Sequence, residues 1–243
     1  MRYFITFCYD GTAYHGWQVQ PNGNSVQAEL QRALSLLLRT ETAVVGAGRT
    51  DTGVHARRMV AHFDAEGPLL DGRQLAYRLN RVLPRDIAVS GVERVDEGMH
   101  ARFSATRRTY RYYVHTGKRP FLRHYSYEVH WPLDFGLMNR AAAVLTEYED
   151  FGAFCKAGAD VRTTRCRLDG ARWVQTGEGC WYFEIAANRF LRNMVRAVVG
   201  TLMEVGRGRL SLQDFRRVIE GGRRTEAGES VPGHALFLEE IEY

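Results

Sequence analysis

The segment Gly48–Ala56 places one carboxylate, Asp51, in a glycine-rich loop. A short apolar run, Val44 to Ala47, precedes the loop and is typical of a buried strand. A strand that ends in such a loop can present a reactive group on a rigid base. Arg49 stands two residues before the acid, and a nearby guanidinium favours the ionised carboxylate that a nucleophile requires. The same residues also suit an Asx turn, in which Asp51 would bond only to its own backbone.

The loop resembles the catalytic loop of the tRNA pseudouridine synthase A family, whose usual form is Gly-Arg-Thr-Asp-Ala-Gly-Val-His. This chain departs once, because Thr52 replaces the alanine and adds a hydroxyl that could change local hydrogen bonding. Further motifs of the family occur in the same order over nearly the whole chain. They are Tyr9–Thr12, Gly16–Gln18, Ser25–Gln27, Leu83–Ile87, His100–Thr106, Tyr110–Tyr112 and Asn188–Arg196.

The resemblance implies an enzyme that isomerises uridine to pseudouridine at positions 38, 39 and/or 40 of the tRNA anticodon stem-loop. It assigns the covalent intermediate to Asp51 and base stacking to Tyr110. It further implies that Arg196 pairs with Asp51, that Arg49 supports the loop and that Arg189 contacts RNA. The sequence leaves open which of the three positions is modified, and whether Asp51 attacks the base or the ribose. The family also implies a cytoplasmic homodimer.

The composition argues against a cofactor, a metal or a membrane span. The four cysteines, at positions 8, 155, 166 and 180, lack Cys-x-x-Cys spacing, so we expect free thiols, mostly buried, and no zinc site. Gly46–Gly48 lacks the remainder of a dinucleotide or P-loop motif. No apolar run approaches the roughly 18–20 residues that cross a bilayer, and no signal peptide begins the chain. We therefore expect a cytoplasmic protein without a cofactor.

The positive charge is concentrated in one part of the chain. The net charge is +5, and residues 103–196 hold 15 Arg or Lys and 9 Asp or Glu, a balance of +6 that leaves −1 for the remainder. Such clustering is the pattern expected of a phosphate-binding surface. Within this part we expect Lys118, Arg119 and Arg123 to grip tRNA phosphates. The remaining candidates, His55 and His62, are expected to be structural.

The periodicity predicts an α+β fold. The first half has the β-α-β-β-α-β order of a ferredoxin-like unit, and the pattern of the second half predicts the same order of elements again. Two such halves, residues 1–102 and 103–243, would form one extended mixed or antiparallel sheet, with helices on one side and a central basic cleft. Specific expectations are helices over Ser25–Leu38, Asp71–Val82, Asp134–Leu145 and Arg189–Val205, a strand over Phe103–Thr116, and a mobile loop over Gly221–Gly233. The long helix would align Arg189, Arg192 and Arg196 on one face.

Two other functions fit parts of the sequence. Asp51-Thr52-Gly53 spells the aspartic-protease triplet, but that chemistry needs two carboxylates that share a proton, and the triplet occurs once. A non-catalytic RNA-binding protein with RRM-like units would explain the charge and the tyrosines. It would not explain the Arg-Thr-Asp loop.

Overall fold

The computed structural model describes residues 1–67, 71–159 and 161–243. The chain forms two compact units. The first unit contains Met1–Thr106 together with Phe237–Tyr243, and the second contains Arg107–Leu236. The residues that close the chain therefore fold with its beginning.

Nine strands and five α-helices make up the described structure. The strands are β1 Arg2–Tyr9, β2 Val45–Gly46, β3 His55–Asp64, β4 Ile87–Val95, β5 Arg107–Thr116, β6 Tyr127–Val129, β7 Leu168–Gly177, β8 Cys180–Ala187 and β9 Leu236–Glu242. The helices are α1 Val26–Leu38, α2 Gly72–Val82, α3 Phe135–Val144, α4 Met194–Gly206 and α5 Leu212–Gly221. The α+β class predicted from the sequence is confirmed.

In the first unit the elements run β-α-β-β-α-β, and the strands lie in the order β4-β1-β3-β2 with all neighbours antiparallel. Strand β9 then pairs with the start of β3 in parallel, His55 opposite Phe237 and Ala56 opposite Leu238. His55, the first residue of β3, thus follows the Asp51 loop directly and pairs with β9, the last strand of the chain.

Two capped helices pack on this sheet. Ser25 accepts a hydrogen bond from the Ala28 N–H at 3.3 Å at the start of α1, and Asp71 accepts one from the Arg73 N–H at 2.8 Å at the start of α2. Such caps satisfy donors that a helix start leaves without partners. The apolar faces of both helices are buried with strand side chains, and each large side chain so buried contributes about 1.5–3 kcal/mol. The largest are Ile5, Phe7, Leu30, Leu34, Met59, Phe63 and Leu79.

The second unit is an antiparallel sheet, β5-β8-β7, with β6 parallel to β5. Helix α4 is its central element, because eleven of its thirteen residues are buried. A helix that is apolar nearly all round belongs inside a protein. Arg196 and Glu204 are the two residues of α4 that reach the surface.

Three sequence-based expectations differ from the structure. Helix α4 begins at Met194, because Asn193 adopts a left-handed conformation, φ 67°, and interrupts the helical backbone. Strand β5 begins at Arg107, because the His100 carbonyl and Nδ1 accept backbone N–H groups of residues 102–104 and fold that stretch into a turn. Within Gly221–Gly233, residues 228–231 are hydrogen-bonded to Asn193 and α4 instead of forming the expected loose loop.

Candidate active site

Asp51 lies half-buried in a loop whose turn is formed by the main chain. The Val54 N–H donates to the Asp51 carbonyl at 3.1 Å, and Gly53 between them has φ 76°. A residue with positive φ at this position of a turn is most easily glycine. Because the backbone closes the turn, the turn does not depend on the Asp51 carboxylate.

A segment near the start of the chain braces this loop. The Trp17 N–H donates to the Thr50 carbonyl at 3.2 Å, and the Gly53 N–H donates to the Tyr14 carbonyl at 3.4 Å. Gly16 has φ 87° and lies so close to the Thr50–Asp51 backbone that a Cβ atom would clash with it. These contacts give a physical reason for the Gly16–Gln18 motif, because only glycine allows the two backbones to approach this closely.

Two more hydrogen bonds reach the sides of the loop from β1 and the turn after it. The Tyr9 hydroxyl shares a 2.8 Å hydrogen bond with the buried Thr50 hydroxyl, and the Gly11 N–H donates to Nδ1 of His55 at 3.0 Å. The His55 ring also stacks on Phe237 of β9, with centroids 4.5 Å apart. The residues on both sides of Asp51 are therefore fixed by buried contacts.

A third segment supports the first two. The Tyr14 hydroxyl donates to the Asp86 carboxylate at 2.6 Å, and the Asp10 N–H donates to the Asp86 carbonyl at 2.9 Å. Burial and the adjacent carboxylate raise the pKa of Tyr14, so the phenol stays protonated and remains a donor. Motifs that are distant in sequence thus converge on one loop.

The family resemblance implies that Arg49 supports the Asp51 loop. This side chain is exposed and takes part in no ion pair or hydrogen bond within residues 1–67, 71–159 and 161–243, and its support of the Asp51 loop stays a prediction. Thr52, the one departure from the family motif, is exposed, and its hydroxyl makes no hydrogen bond in the same part of the chain. The substitution therefore leaves the hydrogen bonds of the loop unchanged.

The two histidines of β3, the strand that follows the Asp51 loop, are structural, as expected. His55 and His62 are both buried, and Nδ1 of each accepts a backbone N–H, from Gly11 and from Ala101 at 3.1 Å. Burial, helped by the nearby positive charge of Arg2, lowers the pKa of His62 to about 4. His62 is therefore neutral at physiological pH.

In the second unit, Tyr110 occupies the inward face of β5. It is 8% exposed, and its ring meets Phe190 edge to face with centroids 5.1 Å apart. Tyr112, two residues on, is fully buried and donates its hydroxyl to the Pro232 carbonyl at 3.0 Å, so its role is in packing. Phe190 thus fixes the plane of the Tyr110 ring.

Arg196 lies in the first turn of α4 and reaches the segment before β9. Its Nε donates to the Val231 carbonyl at 2.7 Å, and the Val231 N–H donates to the Arg196 carbonyl at 3.2 Å. One nitrogen of the guanidinium therefore orients this residue.

Arg189 and Arg192 do not share a helix face with Arg196, so that expectation is wrong. Both precede α4, in the connection that follows β8, and Arg189 is half-buried. The charge of Arg189 acts on the buried thiols of Cys155 and Cys166, whose pKa values are nevertheless raised because burial dominates. All four cysteines are free thiols, two of them buried.

Two kinds of site are not found in the described residues. No group of three His, Cys, Asp or Glu side chains there could hold a metal ion. None of the described helices combines the length and the hydropathy that crossing a membrane requires.

The fold and the loop define a class: an α+β protein that presents a carboxylate on a loop braced by three distant segments. Comparison with known sequences identifies the family within that class. A family model described as tRNA pseudouridine synthase matches residues 5–104 and 141–243, and the chain belongs to this family. It is thus an isomerase of the pseudouridine synthase type.

Individual relatives match over the full chain. tRNA pseudouridine synthase A of Bacteroides fragilis is 58% identical over 242 residues, which cover 100% of this chain and 96% of the relative. The protein of the same name from Bacteroides thetaiotaomicron is 57% identical, covering 100% and 90% of the two chains. That of Bacillus subtilis is 41% identical, covering 100% and 99%. Neither the aspartic-protease nor the non-catalytic interpretation agrees with these matches.

The residues that brace the loop were missed as functional residues by the sequence analysis. Tyr14 falls between two quoted motifs, and Asp86 was quoted only as part of Leu83–Ile87. A lone tyrosine in a turn-rich stretch carries no periodic signal. Its pairing with a carboxylate 72 residues away is visible only in the fold.

Proposed function

We propose that this protein converts uridine to pseudouridine in tRNA, at positions 38, 39 and/or 40 of the anticodon stem-loop, through a covalent intermediate on Asp51. The observation that carries the proposal is the placement of Asp51, half-buried on a loop that three separate segments brace, in a chain of this family. A nucleophile so fixed loses little entropy when it reacts.

The reaction is an isomerisation and needs only what the chain supplies. The Asp51 carboxylate bonds to the nucleoside as the C1′–N1 bond breaks. The base turns, a C1′–C5 bond forms, the proton on C5 is removed and N1 gains one, and the carboxylate is released. One C–N bond is exchanged for one C–C bond, with no oxidation and no net addition of water. Whether the carboxylate bonds to uracil or to ribose is left to trapping experiments.

The remaining assignments concern substrate binding. Tyr110 is proposed to stack on the target base, since its ring plane is already fixed by Phe190, and such stacking contributes about 1–3 kcal/mol per base. Arg49, Arg189 and Arg196 are proposed to bind the substrate. The exposed Arg49 guanidinium suits phosphate contact better than support of the loop. A base in a stem must be extruded, at a cost of a few kcal/mol that phosphate contacts offset.

The test is a comparison of the wild-type chain with Asp51→Asn, which keeps the shape of the side chain and removes its charge. We expect the wild type to release tritium from tRNA labelled at C5 of uridine, and the variant to release none. Binding of tRNA should change by less than about threefold, because the phosphate contacts remain.

Chemical mapping of pseudouridine in the same tRNA identifies the positions modified. Tritium release by Asp51→Asn at the wild-type rate would refute the proposed role of Asp51. Modification confined to nucleotides outside the anticodon stem-loop would refute the proposed positions. A cytoplasmic homodimer is the proposed state of the protein, and light scattering of the purified chain measures its oligomeric state.

A further inference from the structure

Helix α2 presents an outward face in which arginines and a tyrosine predominate. Its exposed residues include Arg73, Tyr77 and Arg81, which recur every four positions and so lie in one row. Arg78 lies beside that row, and the exposed Arg85 follows the end of the helix. Tyr77 is 66% exposed, which is unusual for an aromatic side chain. These five residues are referred to below as the α2 face.

The charges of the α2 face are not compensated. None of its four guanidinium groups has an ion-pair or hydrogen-bond partner in residues 1–67, 71–159 and 161–243. The two carboxylates closest in sequence are engaged elsewhere, because Asp71 caps the helix and Asp86 accepts the Tyr14 hydroxyl. The carboxylates nearest in sequence therefore form no ion pair with these guanidinium groups.

On two other helices of the chain, by contrast, arginines are paired with carboxylates. On α1, Arg32 pairs with Glu29 at 2.9 Å. On α5, Arg216 pairs with Glu147 at 2.6 Å and Arg217 with Asp214 at 2.5 Å. Like charges three or four residues apart on a helix repel each other and destabilise it. The α2 face carries that repulsion without relief, as is typical of a surface that meets an anionic partner.

The α2 face is held rigidly. The Asn80 side chain makes two hydrogen bonds to the Val89 backbone of β4, at 2.8 and 2.7 Å. At the other end of the helix, Gly72 lies against the Val92 carbonyl, where a Cβ atom would clash. Leu75 and Leu79 are buried beneath the helix. A face positioned in this way spends little conformational entropy on binding.

Helix α2 is also close in sequence to a residue that supports the Asp51 loop. Helix α2 leads directly into Asp86, whose carboxylate binds Tyr14, and the Tyr14 carbonyl accepts the Gly53 N–H next to Asp51. The helix that carries the cations is therefore followed directly by the hydrogen bonds that support the Asp51 loop, inside the first unit.

We propose that the α2 face binds the sugar–phosphate backbone of the tRNA whose uridine is modified. This inference rests on the proposed function and adds a binding surface to it. Guanidinium groups bind phosphate with paired hydrogen bonds, and the Tyr77 hydroxyl can donate to a phosphate oxygen. From Arg73 to Arg81 the helix rises about 12 Å, which matches about three nucleotides along a duplex strand. Contacts of this kind position an RNA without reading its bases.

The test compares two double variants that remove the same charge. Arg78→Gln/Arg81→Gln changes the α2 face, and Arg216→Gln/Arg217→Gln is the matched control on α5. Glutamine is a good helix former, and all four sites lie at or near the surface, so both variants should fold, which thermal unfolding verifies. Equilibrium binding of tRNA is measured between about 0.05 and 0.3 M salt, together with the kinetics of tritium release.

We expect the α2 variant to bind tRNA about tenfold more weakly at 0.15 M salt, with the slope of log K against log salt reduced by about 2. The KM for tRNA should rise in proportion, while kcat stays unchanged. The control should keep the wild-type slope. A third variant, Tyr77→Phe, should weaken binding about two- to threefold with no change in slope, because a neutral donor releases no counterion.

Equal effects of the two double variants would overturn the inference. So would unchanged tRNA binding by the α2 variant combined with lost binding to phosphatidylglycerol vesicles, which would instead assign the face to an anionic lipid surface. Failure of the proposed function is distinguishable, since the wild type would then release no tritium. The binding comparison would still decide whether the α2 face contacts RNA.

Discussion

Tyr14 shows how one side chain can fix the geometry of a reactive group it does not touch. Its carbonyl holds the Gly53 N–H of the loop, and its hydroxyl holds the Asp86 carboxylate at 2.6 Å. Through these two bonds, Tyr14 connects the loop to the segment after α2. A hydrogen bond to a charged group of this kind contributes about 1.5–3 kcal/mol.

We predict that Tyr14→Phe lowers the free energy of unfolding by about 1.5–3 kcal/mol, because the part-buried Asp86 carboxylate loses its donor. The loop should be positioned less firmly, so kcat for tritium release should fall about tenfold with little change in KM. Urea unfolding and steady-state kinetics measure the two effects.

The matched control is Tyr148→Phe, which removes an exposed tyrosine–carboxylate hydrogen bond, Tyr148 to Glu220 at 2.7 Å, in the second unit. We expect it to cost less than about 1 kcal/mol and to leave kcat unchanged. A kcat for Tyr14→Phe equal to that of the control would show that Tyr14 does not position the loop.

At this scale the sequence singles out one candidate for the chemistry, Asp51, but says little about what surrounds it. Asp51 was recognisable because glycines, a preceding apolar run and a full motif surround it. The support of the loop by Arg49 stays a prediction, because this exposed side chain makes no ion pair or hydrogen bond within the described residues. The supporting contacts come from residues 33 or more positions away, which no local pattern encodes.

At the scale of elements, the start of α4 shows where periodicity misleads. Arg189, Arg192 and Arg196 recur at helical spacing, yet only Arg196 is helical. Periodicity predicts that residues share a face only if the backbone is helical throughout, and Asn193, with its left-handed conformation, breaks the helix first. The capped helices were predicted to within one residue, because Ser25 and Asp71 signal their starts directly.

We predict that Arg196→Ala abolishes most tritium release and also loosens residues 228–232, because its Nε no longer holds the Val231 carbonyl. Hydrogen exchange of the amides in that segment should become faster by about five- to tenfold, as expected for the loss of about 1 kcal/mol.

A control variant separates these two effects. Ser230→Ala removes the 2.6 Å and 2.8 Å hydrogen bonds that Ser230 receives from Asn193 and Arg224, so it loosens the same segment while Arg196 is kept. We expect Ser230→Ala to retain most of the activity. If Ser230→Ala were as inactive as Arg196→Ala, Arg196 would act only by ordering this segment.

For the whole molecule, one buried histidine contributes to the pH dependence of the free energy of unfolding. The pKa of His62 is lowered from its usual 6.5 to about 4 by burial and by nearby Arg2. Between these values the unfolded chain binds a proton at this residue and the folded chain does not. Stability therefore falls as the pH drops from 6.5 to 4, by up to about 3 kcal/mol from this group.

We predict that His62→Asn makes the free energy of unfolding less dependent on pH over this window. An asparagine Oδ1 can replace Nδ1 as the acceptor for the Ala101 N–H, so the contact is kept while the titration is lost. Urea unfolding at pH 7 and pH 4.5 measures the difference. Loss of stability of equal size in the wild type and in His62→Asn would show that His62 does not contribute.

The division of the chain shows what the sequence could not reveal at this scale. The alternation of apolar and acidic residues in Ala235–Glu242 is typical of a strand, but it contains no information about the partner of that strand. Pairing with β3, 182 residues earlier, depends on long-range packing such as the stack of Phe237 on His55. The two sequence halves at 1–102 and 103–243 remain a prediction about the domains, while the compact units assign Phe237–Tyr243 to the first.

That pairing has a consequence for biosynthesis. Domains generally fold in the order in which the ribosome makes them. Here the strand that begins where the Asp51 loop ends cannot gain its parallel neighbour until residue 237 has been translated. A nascent or prematurely terminated chain therefore exposes an unfinished edge beside its reactive loop, which makes it a substrate for chaperones and proteases before it can bind RNA productively.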